Sequence, residues 1–303
     1  DHGDSAEDLL KRADIALYRV KERGRDGIAF FEQSMQVAAS ERLAIESELR
    51  RAISKGQFCL YYQPQFDYRS QRIEGAESLL RWQHPERGLI GPGAFIDVLE
   101  QSTLILEAGR QILHQACAFI AELLEAGLIT PQFSLSVNIS PRQFRHASFV
   151  DDVLGAIALH DIPTSCLSLE ITEGIVIENI NDTIDKMNVL RSHGVHFAID
   201  DFGTGYSSLS YLKQLPVDLL KIDQSFVRDC PHNPNDAEII RAIIAIATSL
   251  HLGLIAEGVE TQEQLTFLHQ QGCEQFQGYL FGRPMDASQL RSLLQNPPDY
   301  AVT

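Results

Sequence analysis

The chain has 303 residues, 44% of them hydrophobic and 22% charged, with a formal net charge of −16. That length can bury one large core or two smaller ones, and the composition is that of a soluble globular protein. The acidity excludes broad binding to the backbone of DNA or RNA, which needs a basic face, but leaves open a small anionic substrate where metal ions reverse the local sign.

Taken in chain order, residues 5–24 place Leu10, Ala13, Leu17 and Val20 at helical spacing, with Ala6 and Leu9 beside the same stripe and Gly24 as a stop. Ile28–Phe31 reads as a short strand and about 40–55 as a second helix. Strand patterns follow at 57–66, 72–82, 133–140, 167–173, 196–201, 219–224, 253–259 and 275–281. Helical patterns lie near 104–127, 149–160, 178–193, 236–251, 261–271 and 286–295, with Thr261 and Gln264 as a capping box. Eight strands mostly separated by helices predict an α/β fold, a TIM (β/α)8 barrel. The first two strands are joined by only "DYRSQ". A parallel crossover needs a dozen or more residues, so this pair should be an antiparallel hairpin and the barrel a modified one with its first strand antiparallel.

The five cysteines, Cys59, Cys117, Cys166, Cys230 and Cys273, are scattered, odd in number and free of any C-x-x-C pair. They read as reduced thiols in a cytoplasmic setting. No signal peptide is legible, and the most apolar stretch, 239–259, is broken by Arg241, His251 and Glu257. A membrane anchor of a longer parent would lie outside this chain.

Alternation along the strands sorts side chains by face. Phe133, Leu135, Val137 and Ile139 oppose Ser134, Ser136, Asn138 and Ser140; Leu167, Leu169 and Ile171 oppose Ser168, Glu170 and Thr172. Phe197 and Ile199 oppose His196, Ala198 and Asp200; Leu220 and Ile222 oppose Lys221 and Asp223. With the apolar faces on the outer helices, the lumen becomes polar, and buried carboxylates need compensation. Glu77, Asn138, Glu170, Asp200, Lys221, Asp223, Glu257 and Gln277 fall late in their strands, where barrels build active sites. An all-oxygen donor set favours Mg²⁺ or Mn²⁺ over zinc, and several strands could hold two ions for in-line displacement at phosphorus. Asn138 alone could equally cap a turn, and Lys221 alone could form a Schiff base.

"FAIDDFGTGYSS", residues 197–208, sets two aspartates side by side. Asp200 continues the inward face, whereas Asp201 would point outward on a continuing strand. The expectation is that the strand breaks and that Gly203 and Gly205 let Asp201 swing back over the mouth.

"GAESLLRW", "SVNIS", "LEITE", "IDDFGTGYSSL", "LKIDQSF", "IAEGVET" and "QGYLFGRP" occur in this order. Across about residues 40–295 the chain resembles EAL domains, cyclic di-GMP phosphodiesterases with a barrel whose first strand is antiparallel. The resemblance implies Glu77, Asn138, Glu170, Asp200 and Asp201 as metal ligands, with Asp200 bridging two ions. It implies Lys221 as the group that orients the attacking water, Glu257 as general base, and Asp223 as support. Gln63 and Arg81 would bind substrate, with Gln277 beside them. Glu173 would anchor the loop after the paired aspartates. The product would be linear 5′-pGpG; a degenerate domain that only binds the dinucleotide is the alternative. Residues 1–33 resemble the C-terminal helix and strand of a GGDEF domain, leaving 34–303 as the EAL domain. That implies upstream GGDEF and sensor domains in a parent protein, and a homodimer. Two departures stand out: Ser78 follows Glu77 where the family has alanine, and "LEQSTLI" (99–105) replaces "AEE-x-G-L-I". Ser78 lies on the opposite parity from Glu77, so the ligand should survive.

Overall fold

Runs of alternating apolar and polar residues, rich in Leu, Ile, Val and Phe, form nine strands in the computed structural model, which describes residues 5–22, 27–177, 180–204, 209–298 and 300. They are β1 (Phe58–Asp67), β2 (Arg72–His84), β3 (Gly88–Ile90), β4 (Ser134–Asn138) and β5 (Leu167–Thr172). β6 (His196–Phe202), β7 (Leu219–Ile222), β8 (Gly253–Ala256) and β9 (Gln275–Gln277) complete the set. The sheet order is β1-β9-β8-β7-β6-β5-β4-β2-β3, and β1 also pairs with β2, which closes an eight-stranded barrel and leaves β3 as an appendage on β2. β1 runs antiparallel to both β2 and β9, while the other barrel pairings are parallel. The modified barrel with a reversed first strand is therefore the fold.

The alternation places the core as expected. Leu135, Val137, Leu167, Leu169, Phe197, Ile199, Leu220 and Ile222 are buried between the sheet and the outer helices. Each such side chain contributes about 1.5–3 kcal/mol by leaving water. A second cluster, Leu49, Phe58, Trp82, Phe95, Leu99 and Leu104, joins the helix Gln33–Ser54 to the start of β1 and the end of β2. The helix Gln262–Gln270 carries the expected Thr261–Gln264 capping box, and Asp286–Gln289 forms another on the last helix. No helix among the described residues is long and apolar enough to cross a membrane. The five cysteines are unpaired, and burial pushes the Cys117 and Cys273 thiols up to about 12.

Several local expectations are corrected. Ile28–Phe31 forms no strand; Ile28 and Phe30 are 89% and 84% exposed, with no partner strand among the described residues to cover them. The leading helix, Ala6–Glu22, buries Ala16, and its Leu9, Leu10 and Leu17 face solvent. Leucine spacing marked the apolar stripe, but the side chain it buries is Ala16, beside the stripe. Helix two starts earlier, at Gln33. β3 and the short helices Ile96–Gln101, Pro141–Arg145 and Gln224–Val227 were too brief to show periodicity.

Ser78 settles without loss. Its hydroxyl donates to the Ser136 carbonyl at 2.7 Å, between β2 and β4. We expect Ser78→Ala to cost about 0.5–1.5 kcal/mol in urea unfolding. Activity should change less than twofold, because the hydroxyl lies on the face away from Glu77; a large activity change would contradict this placement.

Candidate active site

At the C-terminal ends of the parallel strands, five elements deliver charged side chains to one point. β7 supplies Lys221, whose side chain is fully buried. Its Nζ lies 2.6 Å from Glu257 Oε1, 2.7 Å from Glu170 Oε2, 3.1 Å from Asp200 Oδ1 and 3.4 Å from Glu77 Oε2. Four carboxylates thus face one ammonium. Burial disfavours the charged lysine, but Glu170, Glu257, Glu77 and Asp200 outweigh it and raise its pKa well above the ordinary value. An ammonium ringed by four carboxylates is held as a cation, which does not favour a Schiff-base role.

The carboxylates differ among themselves. Burial raises Glu170 well above the usual carboxylate range, with Lys221 only partly offsetting it. Burial pushes Glu257 up to about 8, Lys221 opposing and Asp200 and Glu77 adding. Glu77 is also buried, yet Lys221 and the amides of Gln277 and Asn138 hold it below the usual range. Those amides donate at 2.6 Å each, Gln277 Nε2 to Oε2 and Asn138 Nδ2 to Oε1.

Asp201 reaches the site by a route not read from the sequence. β6 does not break after Asp201; it runs to Phe202. Ile199 pairs with Leu220 and Phe202 with Ile222, so Asp200 and Asp201 together oppose the single residue Lys221. This is a β-bulge, and Asp201 itself takes the left-handed conformation, φ 53°. The extra residue turns the second carboxylate toward the first, and the Asp201 amide donates to Asp200 Oδ1 at 3.0 Å. Carboxylate oxygens of Asp200, Asp201 and Glu257 all lie within 4.8 Å of one another. Burial, then the charges of Asp200 and Asp223, push Asp201 up to about 6.

Asp223 sits past the end of β7 as the N-cap of the helix Gln224–Val227, accepting from the Ser225 amide at 3.0 Å. It stands beside Asp201 and outside the Lys221 ring. Glu173 Oε1 accepts from the Gly203 amide at 3.0 Å, tying down the chain after the bulge. Gly203 has φ 100°, and a Cβ there would lie 3.0 Å from Phe226 and 3.2 Å from Ile243. Gly205 lies outside the described residues. Gly203→Val should distort the bulge, lowering turnover about tenfold or more while the far-ultraviolet circular dichroism stays that of the folded barrel. Unchanged turnover would show that the bulge does not depend on this turn.

Gln63 lies on the inward face of β1 opposite Glu77. Its Nε2 donates to Gly282 O at 3.2 Å. Arg81 is four residues beyond Glu77 on β2, about 13 Å further toward the rim at strand rise. Its guanidinium stacks 5.5 Å above the Tyr61 ring and bonds its neighbour's carbonyl, Leu80 O. Arg81 is thus at the mouth, not in the acidic ring.

The donors fit hard divalent cations. They are all oxygen, carry more negative charge than Lys221 balances, and include one buried atom, Glu170 Oε1, with no hydrogen-bond partner among the described residues.

Fold and mouth together define a (β/α)8 barrel with a cation-demanding acidic centre at its strand ends. A family model narrows this: residues 46–284 match the EAL domain, and the chain belongs to that family. It is 42% identical over 288 residues to MucR of Pseudomonas aeruginosa, described as a bifunctional diguanylate cyclase/cyclic di-GMP phosphodiesterase. That match covers 95% of this chain and 42% of MucR. NbdA of the same organism, a cyclic di-GMP phosphodiesterase, is 42% identical over 293 residues, 97% of this chain and 37% of NbdA. The chain therefore spans about two fifths of these relatives' length. Among solved structures, the MucR phosphodiesterase in complex with c-di-GMP matches with a TM-score of 0.78 at 42% identity, covering 82% of this chain and 99% of that one.

Proposed function

We propose that this chain hydrolyses cyclic di-GMP to linear 5′-pGpG, using two Mg²⁺ or Mn²⁺ ions. The observation that carries the reading is the ring of Glu77, Glu170, Asp200 and Glu257 around buried Lys221, with Asp201 brought in by the bulge. Glu77, Asn138, Glu170, Asp200 and Asp201 would hold the ions, Asn138 through its carbonyl oxygen. Bound divalent ions would supply Lewis-acid charge at the phosphoryl oxygens and make water a better nucleophile at neutral pH. Lys221 keeps its proton, donates toward the reacting centre and balances phosphate charge. Glu257 takes the proton from the attacking water. Asp223 supports Asp201, Arg81 binds the dinucleotide at the mouth and Gln63 binds it beside Glu77, with Gln277 bracing Glu77. On the same reading residues 1–33 end an upstream GGDEF-like domain, and the full-length protein acts as a homodimer.

The test is purified protein with cyclic di-GMP and Mg²⁺ or Mn²⁺, followed by nucleotide chromatography. Linear pGpG that vanishes with EDTA is the expected result. Tight binding with no product would overturn hydrolysis in favour of a dinucleotide-binding role.

Metal uptake should depend on pH. Glu257, at about 8, and Asp201, at about 6, carry protons below those values, and a cation must displace them. Apparent Mg²⁺ affinity should therefore rise from pH 6 to about 8.5, with proton release read by calorimetry in buffers of different ionisation enthalpy. A raised carboxylate pKa also means that the metal-free fold binds more protons than the unfolded chain. Its stability contribution from Glu257 fades as pH climbs from 4.5 toward 8. A pH-independent affinity would count against Asp201 as a ligand and against Glu257 as a charge beside the cations.

A further inference from the structure

A row of side-chain amides runs along the lumen beside and beneath the acidic ring. Gln63 and Gln65 share the inward face of β1, opposite Glu77 and Gly75 on β2, and Gln65 also pairs with Gln277 on β9. All three glutamines are buried. Gln65 Nε2 donates to Gln277 Oε1 at 2.9 Å. Gln277 Nε2 donates to Gln63 Oε1 at 3.2 Å and to Glu77 Oε2 at 2.6 Å. Gln63 Nε2 donates to the Gly282 carbonyl at 3.2 Å.

The direction of the row follows from its ends. A backbone carbonyl can only accept, so Gly282 fixes which end of the Gln63 amide faces it. Gln63 then presents its oxygen to Gln277, as Glu77 does, and Gln277 must present its nitrogen to both. Its oxygen is left pointing down the lumen, where Gln65 supplies the donor. Aligned amides polarise one another, and a buried acceptor left alone is costly. Room for this contact comes from Gly75, because a Cβ there would lie 2.7 Å from Gln65 Oε1 and 2.8 Å from Ser134 O. Gln65 is two residues nearer the barrel floor than Gln63. There it lines a cavity of about 110 Å³ with Ser134, Ser136 and Ser168, away from the mouth.

We propose that Gln65 is a positioning residue for the metal centre: it locks the Gln277 amide so that Gln277 holds the Glu77 carboxylate in its ligating orientation. Gln65 touches neither substrate nor cation. Gly75 belongs to the same device, as the residue whose missing side chain lets Gln65 lie across the strand pair. The inference rests on the metal-site reading above.

The test compares the parent with Gln65→Leu, which keeps bulk and removes the donor, and Gln65→Glu, which replaces the donor with an acceptor. Four quantities are read: Mn²⁺ affinity by electron paramagnetic resonance, kcat and KM with cyclic di-GMP, and the Gln277 side-chain amide resonance in metal-free protein, assigned with Gln277→Ala. For Gln65→Leu, Mn²⁺ affinity and kcat should each fall about five- to tenfold, the weight of one neutral amide hydrogen bond. KM should stay within twofold, and the Gln277 amide resonance should move. Gln65→Glu should lose more of both. Gln65→Asn serves where the leucine variant does not fold, and should give an intermediate loss. An unmoved Gln277 resonance, or Mn²⁺ affinity and kcat within twofold of the parent in a folded variant, overturns the proposal. A parent that binds Mn²⁺ and cleaves cyclic di-GMP while Gln65→Leu matches it sinks this inference alone. A parent that binds no Mn²⁺ sinks the metal-site reading and this one with it.

Discussion

Lys221→Met should destabilise the metal-free protein by about 3–5 kcal/mol at pH 8, the cost of removing one partner from a buried ionic cluster. The side chain is completely buried and touches four carboxylates, and no second lysine or arginine among the described residues is paired with that ring. The loss should shrink at pH 6, where Glu257 and Glu170 accept protons more readily. It should shrink again in saturating Mg²⁺, which restores positive charge. Turnover should stay lower by about two to three orders of magnitude even when Mg²⁺ restores the fold, because the donor itself is gone. Urea unfolding at the two pH values, with and without Mg²⁺, separates the two effects. A variant equally stable at both pH values would mean that the ring is not balanced by Lys221.

Asp200→Asn should act with the opposite sign on stability. The substitution keeps the shape of a residue 3.1 Å from Lys221 and grouped with Asp201 and Glu257, but removes one negative charge from a site that has too many. The metal-free protein should be as stable as the parent or more so. Turnover should fall about 10²–10³-fold, since Asp200 would be among the carboxylates that hold the cations. Metal titration should show weakened or lost binding at one position. A folded variant with parental turnover would remove Asp200 from the centre. Together the two variants distinguish a metal site from a structural ion cluster, in which removing either sign of charge would destabilise.

Period-two alternation made the barrel and the inward face of each strand legible. The same parity that marked Asn138, Glu170, Asp200 and Lys221 from letters alone places Glu170 and Asp200 each within 3.1 Å of Lys221 Nζ. Ser78 was legible too, as a residue on the other face. The position of Asp201 was not. Its carboxylate turns inward because two residues of β6 oppose one of β7, and that mismatch is set by pairing between strands distant in sequence. Glycines nearby suggested a turn, and Gly203 does take a positive φ, but the aspartate itself is left-handed as well. Gln65 was missed for a related reason. Inside the strand it reads as one more polar position, and only cross-strand pairing with Gly75 and Gln277 shows what it holds. The leucines of the first helix misled because helical spacing reports an apolar face, not what covers it.

The reversed first strand also relocates the doorway through which the chain joins its own barrel. In an all-parallel barrel the first strand starts at the floor, far from the chemistry. Here Phe58, the first residue of β1, pairs with Trp82 near the end of β2, so the chain enters at the rim. The helix Gln33–Ser54 is fastened there by Leu49, Phe58, Trp82 and Phe95. The first barrel element that helix touches is therefore the hairpin that carries Gln63, Glu77 and Arg81. In mechanical terms the helix is a handle attached at the working end of the tool.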